Sequence, residues 1–462
     1  MFAQTIQQFC EMTGSRYIGD LSLDTTIDSV VIDSRQAGPR SLFFALPGSR
    51  THGIHFASSA RTRGAIVVAD EESAGEHGGS MIVTANPLRA LQQLASFNRR
   101  QSDALTIGIT GSVGKTTTRR LLTSVLSPVY RGVQSPANYN NELGVPLSVL
   151  QIEDETEFAV IEMGARKAGD ITELCEIALP EFAVVTCVAP SHLSSFDSIR
   201  TIARTKQELI ESLDTDGIAF LNADDRHVLA MRDSAVCRVI TYGRSSEADR
   251  RYEIVDVSNT QLVLQTGGHE FCAQICGQHQ SSGLAVSIAV AQELGLSARD
   301  IQAGLDEFEP ASGRTVLHKV NGIDVIDDTY NANPTSVRAA ILLLDQWTTP
   351  GCKTFVLGDM LDLGEQTAEL HFAIGVVLSQ TQINHAVAYG KYARDVADGF
   401  LSAGGSLSRI SVFDSEAVLL SILDCLVDHG DVLLVKGSRG MAMERIVEGI
   451  RELSADSLQH AA

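Results

Sequence analysis

No apolar run in the 462 residues approaches the about 20 that a membrane-spanning helix needs, so stable insertion in a bilayer is not expected. The opening stretch, MFAQTIQQFCEMTG, lacks the basic-then-apolar layout of a secretion signal, and a cytoplasmic protein is expected. Basic residues are scarce: 36 Lys and Arg against 57 Asp and Glu give a net charge of −21. That balance argues against nucleic acid or an anionic membrane as the main partner, while leaving room for a local basic pocket for phosphates. Cysteine is sparse as well. The eight are scattered without framework spacing, and Cys272 and Cys276, four apart in FCAQIC, have no matching second pair. All eight are expected to be reduced and mostly buried thiols. No fixed-period repeat is visible.

What is present is globular: 44% apolar and 20% charged residues, in a chain long enough for roughly two to four domains. Strand-like runs alternate with helical stretches almost throughout, which predicts an α/β fold with mostly parallel sheets. Three segments separate. Residues 1–84 carry short strands (SVVIDS, LFFALPG, AIVVAD) with Gly-rich turns. Residues 85–313 begin with a helix at NPLRALQQLASFNRR, where Asn86 can cap and Pro87 suits the first turn. The strands ALTIGIT, FAVIEMG, FAVVTCV and GIAFLNADD follow, then a β-rich stretch from 252 to 277 and a final helix around 282–294. After a boundary near Gly313 the pattern restarts over residues 314–462, with GIDVIDDTY, TFVLGDM, HAVAYG, ISVF and DVLLVKGS as strands.

The strongest local signal is TGSVGKTT, from Thr110 to Thr117, between the strand ALTIGIT and a helix that stops before Pro128. Strand, glycine turn and helix start offer a phosphate both backbone N–H groups and the positive end of a helix. The run departs from G-x-x-x-x-G-K-[ST], because Ile109 stands where that pattern has glycine. Lys115 would reach the transferred phosphate and the Thr116 hydroxyl would hold Mg²⁺; the bland alternative is a Gly-Lys pair in a plain surface turn. Glu162, ending the strand FAVIEMG, stands where α/β sheets place ligands, though a capping or salt-bridging glutamate fits the position equally.

From Ile199 the apolar positions Ile202, Ala203, Leu209, Ile210 and Leu213 make a helical stripe, and Lys206 falls on it. A buried amine tends to be neutral, paired or modified, and a neutral one can add CO₂ to become an anionic carbamate. The pattern alone favours a lysine that snorkels to the surface. His192 is either a second metal ligand or an ordinary turn histidine. Arg314 at the proposed junction could grip a γ-phosphate and Asp328 a ribose hydroxyl, or they are a linker arginine and a turn cap.

Taken in order, TGSVGKTT, EMGA, the His192 to Lys206 segment, LNADD, GR and DTYNANP resemble the Mur ligase family, ATP-dependent amide-forming enzymes of peptidoglycan precursor synthesis. The family's shortened loop, T-G-x-x-G-K-T, accounts for Ile109. The stretches NYNNELGVPLSVL, DDTYNANPTS, VIDSRQAGPRSLFFALPGSRTHGIHFA, VLGDMLDLGEQTAELH and LVKGSRGMAMERIV are most similar to the member that acts last. The resemblance therefore implies three domains: a small α/β UDP-binding domain, a central P-loop ATPase-like domain and a C-terminal Rossmann-like domain. The activity implied is joining of D-alanyl-D-alanine to UDP-N-acetylmuramoyl-tripeptide through an acyl phosphate, by a monomer.

Residue by residue, the resemblance implies Thr110, Gly111, Ser112, Val113, Gly114, Lys115, Thr116 and Thr117 at the ATP phosphates. It implies Thr116 and Glu162 for one Mg²⁺, and His192 with a carbamylated Lys206 for a second. Arg314 would meet the γ-phosphate, Asp328 the ribose and Gln280 the adenine. Ser34 and Arg35 would lie at the UDP moiety, and Asn138, Asn140, Asn141, Tyr330, Asn331 and Asn333 at the substrates. The family usually carries G-x-H-N-x-x-N where this chain has GQHQSSG. Gln280 keeps an amide, and Gly283 offers no side chain. CVAPSHL also lacks the asparagine and acidic residue often found before this histidine. The D-N-P-R run of the diaminopimelate-adding members is missing. The competing readings are another amino-acid ligase of the family and a nucleotide-binding homologue without ligase activity.

Overall fold

The computed structural model describes residues 1–48, 51–77, 79–190 and 196–460. Its smallest main sheet runs Arg16–Ile18, Met81–Val83, Ile66–Ala69, Ser41–Phe44, Ser29–Val31, and only Arg16–Ile18 pairs antiparallel. Alternation sorts its side chains. Phe43 and Val67 face an outer core with Ile54 and Ala60, while Leu42, Phe44, Ile66 and Val68 face Leu91 and Leu94 of helix Pro87–Arg100. That helix starts as its sequence directs, with Asn86 Oδ1 accepting from the Arg89 N–H at 3.0 Å, a cap that stabilises by about 1 kcal/mol. Its core continues without a break into Val145, Val149 and Ile161, so the first domain is packed onto the second through a shared apolar layer.

The central sheet has nine strands, and Leu105–Thr110 lies between Phe182–Val185 and Phe158–Glu162, parallel to both. The chain leaves this strand to build Gly132–Gln134 and Phe158–Glu162 on one side, then crosses to Phe182–Val185 on the other. This reversal opens a crevice at the carboxyl ends of the strands, where such sheets hold ligands. Helices cover both faces: Asp170–Ala178 and Ile199–Glu211 on one, Lys115–Leu126 and Ser281–Glu293 on the other. The far edge is an antiparallel ribbon, Arg250–Val257, Leu262–Thr266 and His269–Ala273, with a bulge between Ile254 and Asp256.

The last sheet runs Val316–Val320, Ile323–Asp328, Val432–Lys436, Lys353–Gly358, His385–Tyr389, Ile410–Phe413, parallel except for the first strand. Several readings need correction. Helix Ala298–Asp306 follows the one expected to be last, and strands Gly132–Gln134, Arg238–Gly243 and Val316–Val320 were not anticipated. Val316–Val320 has no fully buried side chain, so its apolar pattern is weak. All eight cysteines are free, but only Cys175, Cys237 and Cys276 are buried, and Cys425 is exposed. Among the described residues no helix is long and apolar enough to cross a membrane.

Candidate active site

The turn after Leu105–Thr110 is shaped by two glycines. Gly111 has φ 145° and Gly114, which starts helix Lys115–Leu126, has φ 86°. At Gly111 a side chain is excluded sterically, since a Cβ would lie 2.0 Å from Thr186 Oγ1. Lys115 Nζ donates back to the Gly111 carbonyl at 2.8 Å, closing the loop. Burial depresses its pKa and nearby Arg314 adds to this, while Glu162 opposes it. Thr116 Oγ1 donates to Glu162 Oε2 at 2.9 Å, and Glu162 is 2% exposed. The other carboxylate oxygen accepts from Asn140 Nδ2 at 2.8 Å, and Arg119 Nη1 stands 3.7 Å from Oε2. The bland alternative for Lys115, a plain surface turn, does not match these contacts, while Glu162 does pair with a cation, Arg119, as its bland alternative allows.

The opposite wall comes from the last domain. Arg314 lies with its guanidinium 4.0 Å from the centre of the Tyr330 ring and its Nη2 3.4 Å from Thr116 Oγ1. Asp328 and Lys436 end neighbouring parallel strands in register, and Lys436 Nζ, 2% exposed, donates to Asp328 Oδ2 at 2.6 Å. Lys206 lies 4% exposed on its helix, so the snorkelling alternative fails. Burial, with Lys115 adding, pulls its pKa down to about 7.

One cleft of about 1150 Å³ gathers Gly111 to Thr117, Glu162, Lys206, Gln280, Arg314 and Asp328 with Asn138, Asn140, Asn141, Tyr330, Asn331 and Asn333. Several of these side chains already have local partners. Asn141 accepts from the Gly144 N–H, Asn331 from the Ala332 N–H, and Asn333 caps helix Pro334–Gln346 with Ser336. Gln280 Nε2 lies 3.1 Å from His279 Nε2. Thr110 is not part of the cleft wall: fully buried, it donates to the Met163 carbonyl at 2.9 Å. Ser34 and Arg35 also lie off this wall, which the first domain reaches through Ile32. Ser34 is buried, and Arg35 pairs with Asp33 at 2.6 Å, holding that carboxyl down at about 2. His192 lies outside the described residues.

Sequence reasoning missed Arg119, Asn222, His279 and Lys436. Asn222 and Lys436 are the last residues of their parallel strands and line the cleft, so the strand-end rule applied to Glu162 would have found both. Arg119 had no local signal, because its partners Ser135, Ala137 and Glu162 are distant in sequence.

Among the described residues no three His, Cys, Asp or Glu side chains cluster to hold a metal by themselves. A buried hydroxyl and carboxylate oxygen side by side, open to a phosphate loop, nevertheless fit Mg²⁺, which takes its other ligands from phosphates and water.

A phosphate loop at a sheet's switch point, faced across one cleft by an arginine from another α/β domain, defines a multidomain P-loop protein of the phosphoryl-handling class. The comparisons narrow the class. The Mur ligase family, catalytic domain, matches residues 26–98, the Mur ligase middle domain residues 109–291, and the Mur ligase, glutamate ligase domain, residues 313–439. The chain belongs to the Mur ligase family. It is 33% identical to UDP-N-acetylmuramoyl-tripeptide–D-alanyl-D-alanine ligase of Bacillus subtilis, over 98% of this chain and 99% of that one. It is similar to the crystal structure of MurF from Acinetobacter baumannii, with a TM-score of 0.88 and 28% identity over 98% of this chain and 99% of that one. The MurF ligase of Thermotoga maritima in complex with ADP superposes with a TM-score of 0.80 and 26% identity, over 93% and 98% of the two chains.

Proposed function

We infer that this chain joins D-alanyl-D-alanine to UDP-N-acetylmuramoyl-tripeptide at the expense of ATP, releasing ADP and phosphate, as an amide ligase of peptidoglycan precursor synthesis. The observation that carries this reading is the approach of Arg314 to Thr116, which brings a cationic side chain of the last domain to the phosphate loop of the central one. Near full-length similarity to enzymes with this activity supports it.

A carboxylate is a poor acyl donor at neutral pH, so its oxygen first attacks the γ-phosphorus of ATP and ADP leaves. Lys115 and Arg314 would flank the transferring group and offset its charge, and the loop N–H groups would hold the remaining phosphates. Thr116 and Glu162 would hold one Mg²⁺, which when bound supplies further neutralisation of phosphate charge. A second ion would be held by His192 and a carbamylated Lys206. The neutral amine of D-alanyl-D-alanine then attacks the acyl phosphate, a tetrahedral intermediate expels phosphate, and the amide forms. Asp328, held by Lys436, would meet the ribose, and Gln280 the adenine. Asn138, Asn140 and Asn141 would hold the muramoyl peptide, and Tyr330, Asn331 and Asn333 would complete the substrate wall. Ser34 and Arg35 would meet the uridine diphosphate beyond Ile32. Residues 1–84 would thus hold the UDP-sugar, 85–313 the ATP, and 314–462 would bring in the dipeptide. The enzyme would work as a cytoplasmic monomer.

The test is phosphate release by the purified chain. Release that requires both UDP-tripeptide and D-alanyl-D-alanine is expected. ATP hydrolysis indifferent to both would instead mark a nucleotide-binding homologue without ligase activity.

A further inference from the structure

We propose that Arg119 is the positioning residue that fastens the acid-binding loop, residues 135–141, to the floor of the phosphate site. The proposal rests on the reading of Asn138, Asn140 and Asn141 as contacts of the muramoyl peptide. Arg119 sits one helical turn beyond Lys115, 3% exposed, behind the cleft wall rather than in it. Its Nη1 donates to the Ser135 carbonyl and, at 3.0 Å, to the Ala137 carbonyl. The same nitrogen stands 3.7 Å from Glu162 Oε2.

The loop needs such a hold. Ala137 has φ 42°, the left-handed region that residues with a Cβ seldom adopt, so the segment would relax if its carbonyls were released. The far end is tied by Asn140 to Glu162 Oε1, and the near end by the Glu162 N–H donating to Ser135 Oγ at 3.0 Å. Asn140 and Arg119 both meet the Glu162 carboxylate, which also accepts from Thr116, so the acid side and the nucleotide side share one anchor.

A merely space-filling role does not account for an arginine here. Its Nε is buried and has no hydrogen-bond partner among the described residues, an unfavourable state that an apolar side chain of similar length would avoid. What the arginine supplies is reach: its Nη1, at the tip of the side chain, serves two carbonyls and stands near a carboxylate at once. A lysine carries its ammonium on a stem one bond shorter and covers only part of that set.

The test uses the full chain and measures dissociation constants by isothermal titration. The probes are UDP-N-acetylmuramoyl-tripeptide and, with Mg²⁺, a non-hydrolysable ATP analogue. Arg119→Met is expected to weaken the tripeptide ligand about tenfold or more while the nucleotide constant moves less than about threefold, with Arg119→Lys between wild type and Arg119→Met. Should Arg119→Met fail to fold, Arg119→Lys decides: the tripeptide constant must rise about threefold with the nucleotide constant unchanged. Parallel shifts in both constants, a larger nucleotide effect, or no shift would overturn the assignment. Because the readout is binding, a wild type that binds both ligands yet makes no amide sinks the proposed function and leaves Arg119 standing.

Discussion

Lys206 shows how far one position can be read from a pattern. The stripe of Ile202, Leu209 and Ile210 put it on the inner face of its helix, and that placement is correct. Depth was not legible, because a stripe does not say whether four methylenes can carry an amine to water. In the folded chain they do not, and burial beside Lys115 brings the amine to about 7, where a large neutral fraction is available to add CO₂. Lys206→Ala is expected to lower ligase turnover about a hundredfold, with partial recovery in millimolar formate or acetate, small anions that can occupy the vacated space. Steady-state phosphate release with and without the added carboxylate measures both effects. An alanine variant of full activity discards the carbamate role.

Elements explain what single residues do not. GQHQSSG reads as a loss, since glycine offers nothing to a ligand, but the packing gives Gly283 a purpose. It lies where helix Ser281–Glu293 crosses helix Lys115–Leu126, and a Cβ there would come within 2.8 Å of Thr118 Oγ1. Threonine is stiff at χ1, so the overlap is not easily relieved. An alanine gains up to about 1 kcal/mol of helix propensity, against an overpacking penalty of about 1–3 kcal/mol. Gly283→Ala is therefore expected to destabilise the protein by about 1 kcal/mol, and in a Thr118→Ala background the sign should reverse. Urea midpoints of the four variants form the cycle, and equal effects in both backgrounds would remove the packing explanation.

Helix Thr367–Ser379 contains a second inter-element contact, equally invisible in sequence. His371, 1% exposed, accepts from the Met360 N–H through Nε2 at 2.9 Å, and its Nδ1 lies 2.7 Å from the Thr367 carbonyl. Burial holds its pKa below the ordinary 6.5, against the pull of the Thr367 carbonyl and Asp359. Below that value the unfolded chain takes up a proton that the folded chain resists. Its contribution is therefore complete above 6.5 and is lost as pH falls below it, until the folded form is protonated too. Wild type should lose more stability than His371→Gln between pH 7.5 and 5, as read from urea midpoints; equal losses would assign the acid sensitivity to other groups.

At the scale of the whole molecule, the three α/β domains and their order were legible, because strand and helix periods repeat locally and the phosphate loop has a local signature. The composite cleft was not, since its walls come from segments about two hundred residues apart and only the folded chain brings Arg314 to Thr116. That meeting concentrates like charge. Arg314 shifts both Lys115 and Arg119 toward the neutral form, so a closed cleft without an anion carries repulsion that phosphates would relieve. The joint between the walls is also tight: Gly313 has φ 69° and Thr315, a residue with a Cβ, has φ 59°, a strain of about 1–2 kcal/mol. An ATP analogue with UDP-tripeptide should thus draw the domains together and lower the radius of gyration measured by small-angle scattering. Arg314→Ala should keep its fold, shown by an unchanged circular dichroism spectrum, yet lose most of that compaction, because the last domain no longer presents a cation to the phosphate. An unchanged radius in the wild type, or full compaction in Arg314→Ala, would break the link between phosphate binding and closure.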